Sequence, residues 1–382
     1  MGGVPRIIVL FGSFMLWGQE RANIDALYAL KQTGCEVLFF VRREHWAEPL
    51  RRELSARGLK WVVAPFMAHR IGRRMSAIQI MENFLSMIAG SLLLIRFIRR
   101  WQPTHIHVAN PVWVFSFLPA LVFTKVPVIY SIGDEPNLSH RGWFVLWRFI
   151  FSRVSIFVSV SCFIQNSLVL NGVASHKIKM IYGRPPLRPT PALPFVLCKN
   201  RFRFVYLGQI AEHKGIDILL ESCQMLLDET DQFEVLIAGD LFEEDDFCNH
   251  IKYFVQRYLG AYVKLLGYVE DVEGLLSSSD VHICPTVGEE PLGLVVMEAK
   301  RSALPSIIFP SGGLLEMIEH GRNGYVCRDK TSGSLAEAMG WYLSLPDRAA
   351  EQGLLARASL SKFWPTEFGQ AWRNVYDETC SR

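Results

Sequence analysis

The chain has 382 residues, half hydrophobic and a fifth charged, which excludes a disordered or fibrous polymer and exceeds what one hydrophobic core ordinarily organises. A formal net charge of +3 conceals an asymmetry, because residues 1–186 carry 22 Lys+Arg against 9 Asp+Glu while residues 187–382 carry 18 against 28. A basic half joined to an acidic half points to two parts with different partners, the basic one suited to phosphates, nucleic acid or anionic lipid.

The first residues, MGGVPRIIVLF, pass straight into a strand pattern and lack the features of a signal peptide, and position 6 lacks the Ser or Thr of a myristoylation signal. Short β-rich runs then alternate with stretches long enough for crossover helices: 6–11, 36–41, 60–66, 105–110, 126–132, 154–160 and 178–183. Near-continuous apolar strands alternating with helices predict a parallel sheet covered on both faces. Within this half, the apolar run Phe84–Ile95 is about a dozen residues against the roughly 20 a membrane span needs. Basic residues at 70–75 and 96–100 flank it, and residues 143–153 mix aromatics with Arg. Both segments fit attachment to an anionic membrane surface, or else buried helices with solvated basic ends.

Five prolines between Arg184 and Pro194 exclude helix and central strand and mark a linker. Strand-like runs then resume at 202–208, 233–239, 263–269, 281–285, 305–310 and 324–328, and residues 364–378 have a helical pattern. The expected organisation is α/β. A first Rossmann-like domain spans 1–186 and is joined by a C-terminal helix of about 362–382; a linker occupies 187–200, and a second Rossmann-like domain spans 201–361. Ligands of such sheets bind at the C-terminal ends of the strands. Eight cysteines are scattered without a Cys-x-x-Cys pair, which fits reduced thiols in a cytoplasmic protein rather than a zinc site or disulfide framework.

Three post-strand stretches carry candidate chemistry. After the run ending in Gly208, Lys214 precedes Gly215 at the start of a helical pattern, where a lysine adds its charge to the helix dipole and suits a diphosphate. A surface lysine in a turn is the plainer reading. Gly312 and Gly313 allow a sharp turn with N–H groups aimed at a phosphate, or simply the turn itself. In TVGEEPLGLVVMEAK, Thr286–Lys300, Pro291 suits the first position of a helix running to about Arg301. Glu290 and Glu298 would then lie about 12 Å apart along its axis and about 80° apart around it. Glu290 has an alternative role at the helix dipole, but Glu298 sits among Leu, Val and Met, where a buried carboxylate needs a partner.

Glu290-(x)7-Glu298 resembles the E-x7-E motif of retaining GT-B glycosyltransferases of family 4. Gly208–Gly215 resembles that family's G-R-L-x-x-x-K-G loop, and residues 265–326 follow the family nearly element by element. The resemblance implies the GT-B fold, two Rossmann-like domains facing across a cleft with the C-terminal helix crossing back to the first. It implies transfer of a hexose-type sugar from a UDP- or GDP-sugar, with retention, to a glycan or lipid-linked acceptor. No metal cofactor and no nucleic-acid partner are expected. Carried over, Glu290 contacts the donor hexose, Glu298 the ribose hydroxyls, and Lys214 the diphosphate. Gly208, Gln209, Leu292 and Gly293 line the donor site, Gly267, Tyr268 and Val269 meet the base, and Gly18 belongs to the glycine-rich N-terminal loop.

Two positions depart from the pattern. Gln209 stands where many members have Arg, and Arg184 is the substitute considered for the missing charge. Gly133 stands where many members have His, leaving Asp134; His105 and His107 share a strand face, with His107 nearer the strand end although a packed histidine is the plainer reading. An inverting transferase, a nucleotide-sugar epimerase and a non-catalytic binding protein of the same fold are the rival readings. A nicotinamide oxidoreductase is disfavoured because no Gly-x-Gly-x-x-Gly loop follows the first strand.

Overall fold

The computed structural model describes residues 4–13, 16, 18–67, 76–136, 138, 141–185, 201–242, 245–364 and 367–380. The expected linker 187–200 and the basic flank 70–75 lie outside the described residues. The chain divides into two compact units, Met1–Pro186 with Pro365–Arg382, and Leu187–Trp364.

The first unit holds a seven-stranded sheet of β1 (Arg6–Phe11), β2 (Glu36–Val41), β3 (Lys60–Val63), β4 (His105–Val108), β5 (Val128–Ile132), β6 (Ile156–Ser159) and β7 (Ile178–Met180), in the order β3-β2-β1-β4-β5-β6-β7. Every pairing is parallel, and β1 runs between Phe39 and His107 at Val9. The burial of β1 from Ile7 to Phe11 is what a strand covered on both faces requires, and explains its unbroken apolar run. The helix Phe368–Cys380 packs against the helix Gly18–Gln32, and its Trp372, Val375 and Tyr376 belong to this unit's core.

The second unit is a six-stranded parallel sheet of β8 (Phe202–Leu207), β9 (Phe233–Ala238), β10 (Val263–Gly267), β11 (Val281–Cys284), β12 (Ser306–Ile308) and β13 (Gly324–Val326). Its order, β10-β9-β8-β11-β12-β13, makes β8 and β11 central neighbours. Loops leaving the C-terminal ends of these two strands therefore emerge side by side.

One expectation is corrected here. The apolar run at Phe84–Ile95 is part of a single helix, Ala77–Trp101, of 25 residues, which by length and composition alone is enough to cross a membrane. Its start is set by a capping box in which Ser76 and Gln79 satisfy each other's backbone N–H groups, and its end by Gln102 in the left-handed region. Gln79, Glu82 and Asn83 break the apolar run without breaking the helix.

Candidate active site

The site in the second unit is built where β8 and β11 end. After β8 the chain makes a tight turn, Glu212–Lys214, and Gly215 takes φ 70° before the helix Ile216–Leu227. A side chain on Gly215 would overlap the Pro285 carbonyl oxygen at the end of β11, so glycine is required both for the backbone angle and for the approach. The His213 carbonyl accepts the N–H groups of Val287 (3.0 Å) and Gly288 (3.2 Å), which laces the two loops together. The result is that the Lys214 ammonium donates to the Glu290 carboxylate at 2.6 Å, although the two are 76 positions apart in the chain.

The loop carrying Glu290 is pinned from a third strand. Beyond β12, the buried Ser311 hydroxyl accepts the Glu290 N–H at 3.0 Å and donates to the Gly288 carbonyl. Gly313 donates its N–H to the Glu290 carbonyl at 2.7 Å, and Gly312 donates to the Glu289 carboxylate at 2.6 Å. Lys330 donates to the same carboxylate at 3.1 Å and to the Val287 carbonyl at 2.8 Å. The expectation of free N–H groups at the start of the helix from Leu314, facing a phosphate, is therefore corrected: the Leu314 N–H goes to the Ser311 carbonyl at 2.9 Å, and the Gly312 and Gly313 N–H groups hold the loop of Glu290.

The helix after Glu290 also begins later than its sequence predicts, at Leu294 rather than Pro291, and runs Leu294–Arg301. Gly293 is the reason. It takes φ 85°, and a side chain there would overlap Leu314, so Pro291 and Leu292 form a bend ahead of the helix. Glu290 and Glu298 thus do not share one helix, and the axial spacing reckoned between them does not apply. Among the described residues, none accepts a hydrogen bond from the N–H of Leu292 or Gly293, which precede the positive end of the helix. Glu298 is 6 % exposed, between the fully buried Met297 and Ala299.

The remaining second-unit candidates cluster at the same sheet end. Gly208 donates its N–H to the Ala238 carbonyl at 3.0 Å, and Gln209 is exposed, its carbonyl held by the Tyr206 hydroxyl at 2.7 Å. Gly267 closes β10 with φ 68°, Tyr268 is exposed, and Val269 packs beside the buried Val272 and Leu275. Burial, and after it the Lys214 charge, pushes the His213 imidazole pKa down, and Glu290 opposes the shift. Among the described residues no group of three or more His, Cys, Asp or Glu could hold a metal ion.

In the first unit, Gly18 is exposed and opens the helix Gly18–Gln32. Asp134 is exposed just past β5. A side chain on Gly133 would stand 2.7 Å from the Gln19 amide nitrogen, so Gln19 lies against the place an imidazole would start from. His107 is corrected as a ligand-side candidate. It is fully buried, its Nδ1 pairs with the Tyr376 hydroxyl at 2.6 Å, and burial pushes its pKa down to about 3. His105 is likewise packed, with Nε2 paired to the Thr379 hydroxyl at 2.6 Å. The Arg184 guanidinium lies 4.8 Å over the Phe368 ring and in the field of Asp25, an engagement within the first unit that gives the diphosphate role no support.

Two family models cover most of the chain. One described as Glycosyltransferase Family 4 matches residues 18–183, and one described as Glycosyl transferases group 1 matches residues 195–358. The chain belongs to the family 4 glycosyltransferases. Spore coat protein SA of Bacillus subtilis (strain 168) is 29 % identical to this glycosyltransferase over 185 residues, 46 % of this chain and 47 % of its own length. Alpha-maltose-1-phosphate synthase of Mycolicibacterium smegmatis is 26 % identical over 188 residues, 47 % of each chain. The glycosyltransferase thus spans about half the length of these curated relatives. The crystal structure of Anabaena Alr3699/HepE in complex with UDP and glucose superposes over 99 % of this chain and 100 % of its own, with a TM-score of 0.78 at 19 % identity. That likeness shows the GT-B fold.

Ser311, His213, Lys330 and Gln19 were not among the sequence candidates. Ser311 stands immediately before the Gly-Gly pair, and that adjacency was the one available signal.

Proposed function

We propose that this glycosyltransferase moves a hexose-type sugar from a nucleoside diphosphate, UDP or GDP, to a hydroxyl of a glycan or lipid-linked acceptor, with retention at the anomeric carbon. The observation that carries the reading is the Lys214–Glu290 pair, held where two central strands end beside the amides of Leu292 and Gly293. A donor diphosphate takes the place of Glu290 on Lys214, and the freed carboxylate accepts from hexose hydroxyls. Glu298 accepts from the ribose. Gly267–Val269 borders the base, and Asp134 serves the acceptor side. The bond from the anomeric carbon to the phosphate oxygen breaks, and the acceptor oxygen bonds on the same face. The acceptor's proton passes to the departing phosphate oxygen. Lys214 and the loop amides stabilise the leaving charge, so the step as written needs no metal.

Uridine as the base is supported by the Anabaena protein, whose solved structures include complexes with UDP and with UDP-glucose. A polysaccharide or glycolipid product is supported by a lipopolysaccharide outer core galactosyltransferase of the same fold, with a TM-score of 0.70 at 12 % identity. The cytoplasm is the expected compartment, in keeping with six free cysteines among the described residues. A thermal-shift panel of UDP-, GDP- and ADP-sugars tests the donor, since a ligand that binds the folded state raises its melting temperature. Proton NMR of the first-formed anomer then tests retention. Conversion of the donor sugar without any acceptor would replace the reading with an epimerase, and donor binding with neither hydrolysis nor transfer would replace it with a binding protein.

A further inference from the structure

The helix Ala77–Trp101 has two unlike faces. Asn83, Gly90, Ser91 and Leu94 are buried. Gly90 abuts carbonyl groups: a side chain there would stand 2.6 Å from the Ser116 oxygen and 2.9 Å from the Pro65 oxygen. The Ser91 hydroxyl accepts the Ala120 N–H at 3.4 Å. These contacts seat the helix on the body of the first unit along its middle.

The opposite face is apolar and open. Ile78, Met81, Leu85, Ile88 and Leu92 recur at alternating steps of three and four, which places them in one stripe, and they are 65, 55, 58, 38 and 63 % exposed. A stripe this long is unusual on a soluble surface, where large apolar side chains lie scattered. Its charge surroundings say what covers it. Arg96 and Arg99 continue the same face, both exposed, and Glu82 at the rim is the helix's one acidic residue. The adjoining helix Leu118–Phe123 carries no charge and ends in Phe123, 84 % exposed, two residues before the exposed Lys125. An apolar stripe bordered by arginine and lysine is complementary to a bilayer surface of anionic headgroups over acyl chains.

We infer that the helix Ala77–Trp101 is a membrane-docking element that lies in the plane of an anionic bilayer and does not cross it. Its 25 residues would reach across the hydrocarbon, but spanning would strip Gly90 and Ser91 from their seats. The inference deepens the lipid-linked-acceptor part of the proposed function and rests on it for its purpose, since docking brings the enzyme to a membrane-held substrate.

The test is cosedimentation of the full chain with vesicles of phosphatidylcholine containing one quarter phosphatidylglycerol, and with phosphatidylcholine alone. Neither donor nor acceptor is present, so the result is independent of the transfer reaction. Wild type should partition to the anionic vesicles at low salt and release at high salt. The Met81→Ser/Leu85→Ser double variant and the Arg96→Glu/Arg99→Glu double variant should each lose roughly tenfold or more in partitioning. Leu354→Ser, an equally exposed apolar site in the second unit, should change nothing. These side chains are exposed, and circular dichroism should show every variant folded. Equal vesicle binding by wild type and the Met81→Ser/Leu85→Ser variant would overturn the inference. So would a wild-type chain that ignores vesicles but has twice the solution mass of that variant by light scattering, which would make the stripe a contact between copies.

Discussion

Lys214 and Glu290, at the ends of neighbouring strands, neutralise each other at 2.6 Å. Each is partly exposed, so the pair is a modest contributor to stability and is open to exchange with a ligand. Replacing Lys214 by Ala should lower kcat/KM by about 10²–10³-fold, the range for losing one group that stabilises developing charge, with little change in melting temperature. Steady-state kinetics beside a thermal melt check this; wild-type turnover in the variant would remove Lys214 from its assigned role.

On the proposed function Glu290 competes with a diphosphate for the same ammonium, and Glu290→Gln should then have opposite effects on binding and on transfer. UDP alone should bind more tightly, by up to roughly fivefold for a partly exposed pair worth about 1 kcal/mol, while sugar transfer falls. Calorimetric titration with UDP reads the first effect and product formation the second. Weaker UDP binding would show that Glu290 supports the diphosphate and does not compete with it.

Ser311 touches the site only through the backbone of the Glu290 loop. Ser311→Ala leaves the half-buried Glu290 N–H and Gly288 carbonyl without their shared partner, a cost of about 1 kcal/mol. The expected outcome is a lower urea midpoint together with a larger loss in kcat/KM than a general destabilisation causes under folding conditions. Ser311→Thr should recover more of the activity than Ser311→Ala.

Glu298→Gln keeps the shape of a buried side chain but would weaken the proposed acceptance of ribose hydroxyls. The expected change is an increase in donor KM of about tenfold with kcat largely kept, the signature of an interaction made equally in ground and transition states. A change confined to kcat would move Glu298 from the ribose to the reacting centre.

Lys300, fully buried beside the Ser359 hydroxyl at 2.7 Å, gives a pH prediction. Burial pushes its pKa from 10.5 down to about 8, Glu319 opposing and Lys362 adding to the shift. Between these values the unfolded chain holds a proton that the folded chain releases, so this group's penalty is full below pH 8 and fades as pH rises toward 10.5. Lys300→Met should therefore gain more stability over wild type at pH 7 than at pH 10, as read by urea denaturation at both. An equal difference at the two pH values would contradict the buried, proton-poor lysine.

The sheets were legible because strands covered on both faces must be apolar nearly throughout: all thirteen expected runs form strands, most of them trimmed at one or both ends. What sequence reasoning misplaced was local. Pro291 satisfies a helix start, yet the left-handed angle that glycine alone tolerates next to Leu314 delays the helix to Leu294. Pairings across distant loops were invisible: nothing in the spacing of Lys214 and Glu290 announces an ion pair, since it arises from the adjacency of β8 and β11. His107 is the packed histidine of the plainer reading, with a partner that spacing could not name. Its place near a strand end was read correctly, but the segment that covers it comes from far along the chain.

That covering segment imposes an order on assembly. The imidazole of His107 meets its hydroxyl partner on Tyr376, 269 positions later, and Trp372 and Tyr376 complete the same core. A nascent chain must therefore emit all of the second unit before the first can seal its sheet. Until then, an apolar, half-covered sheet stands exposed to whatever the emerging polypeptide meets.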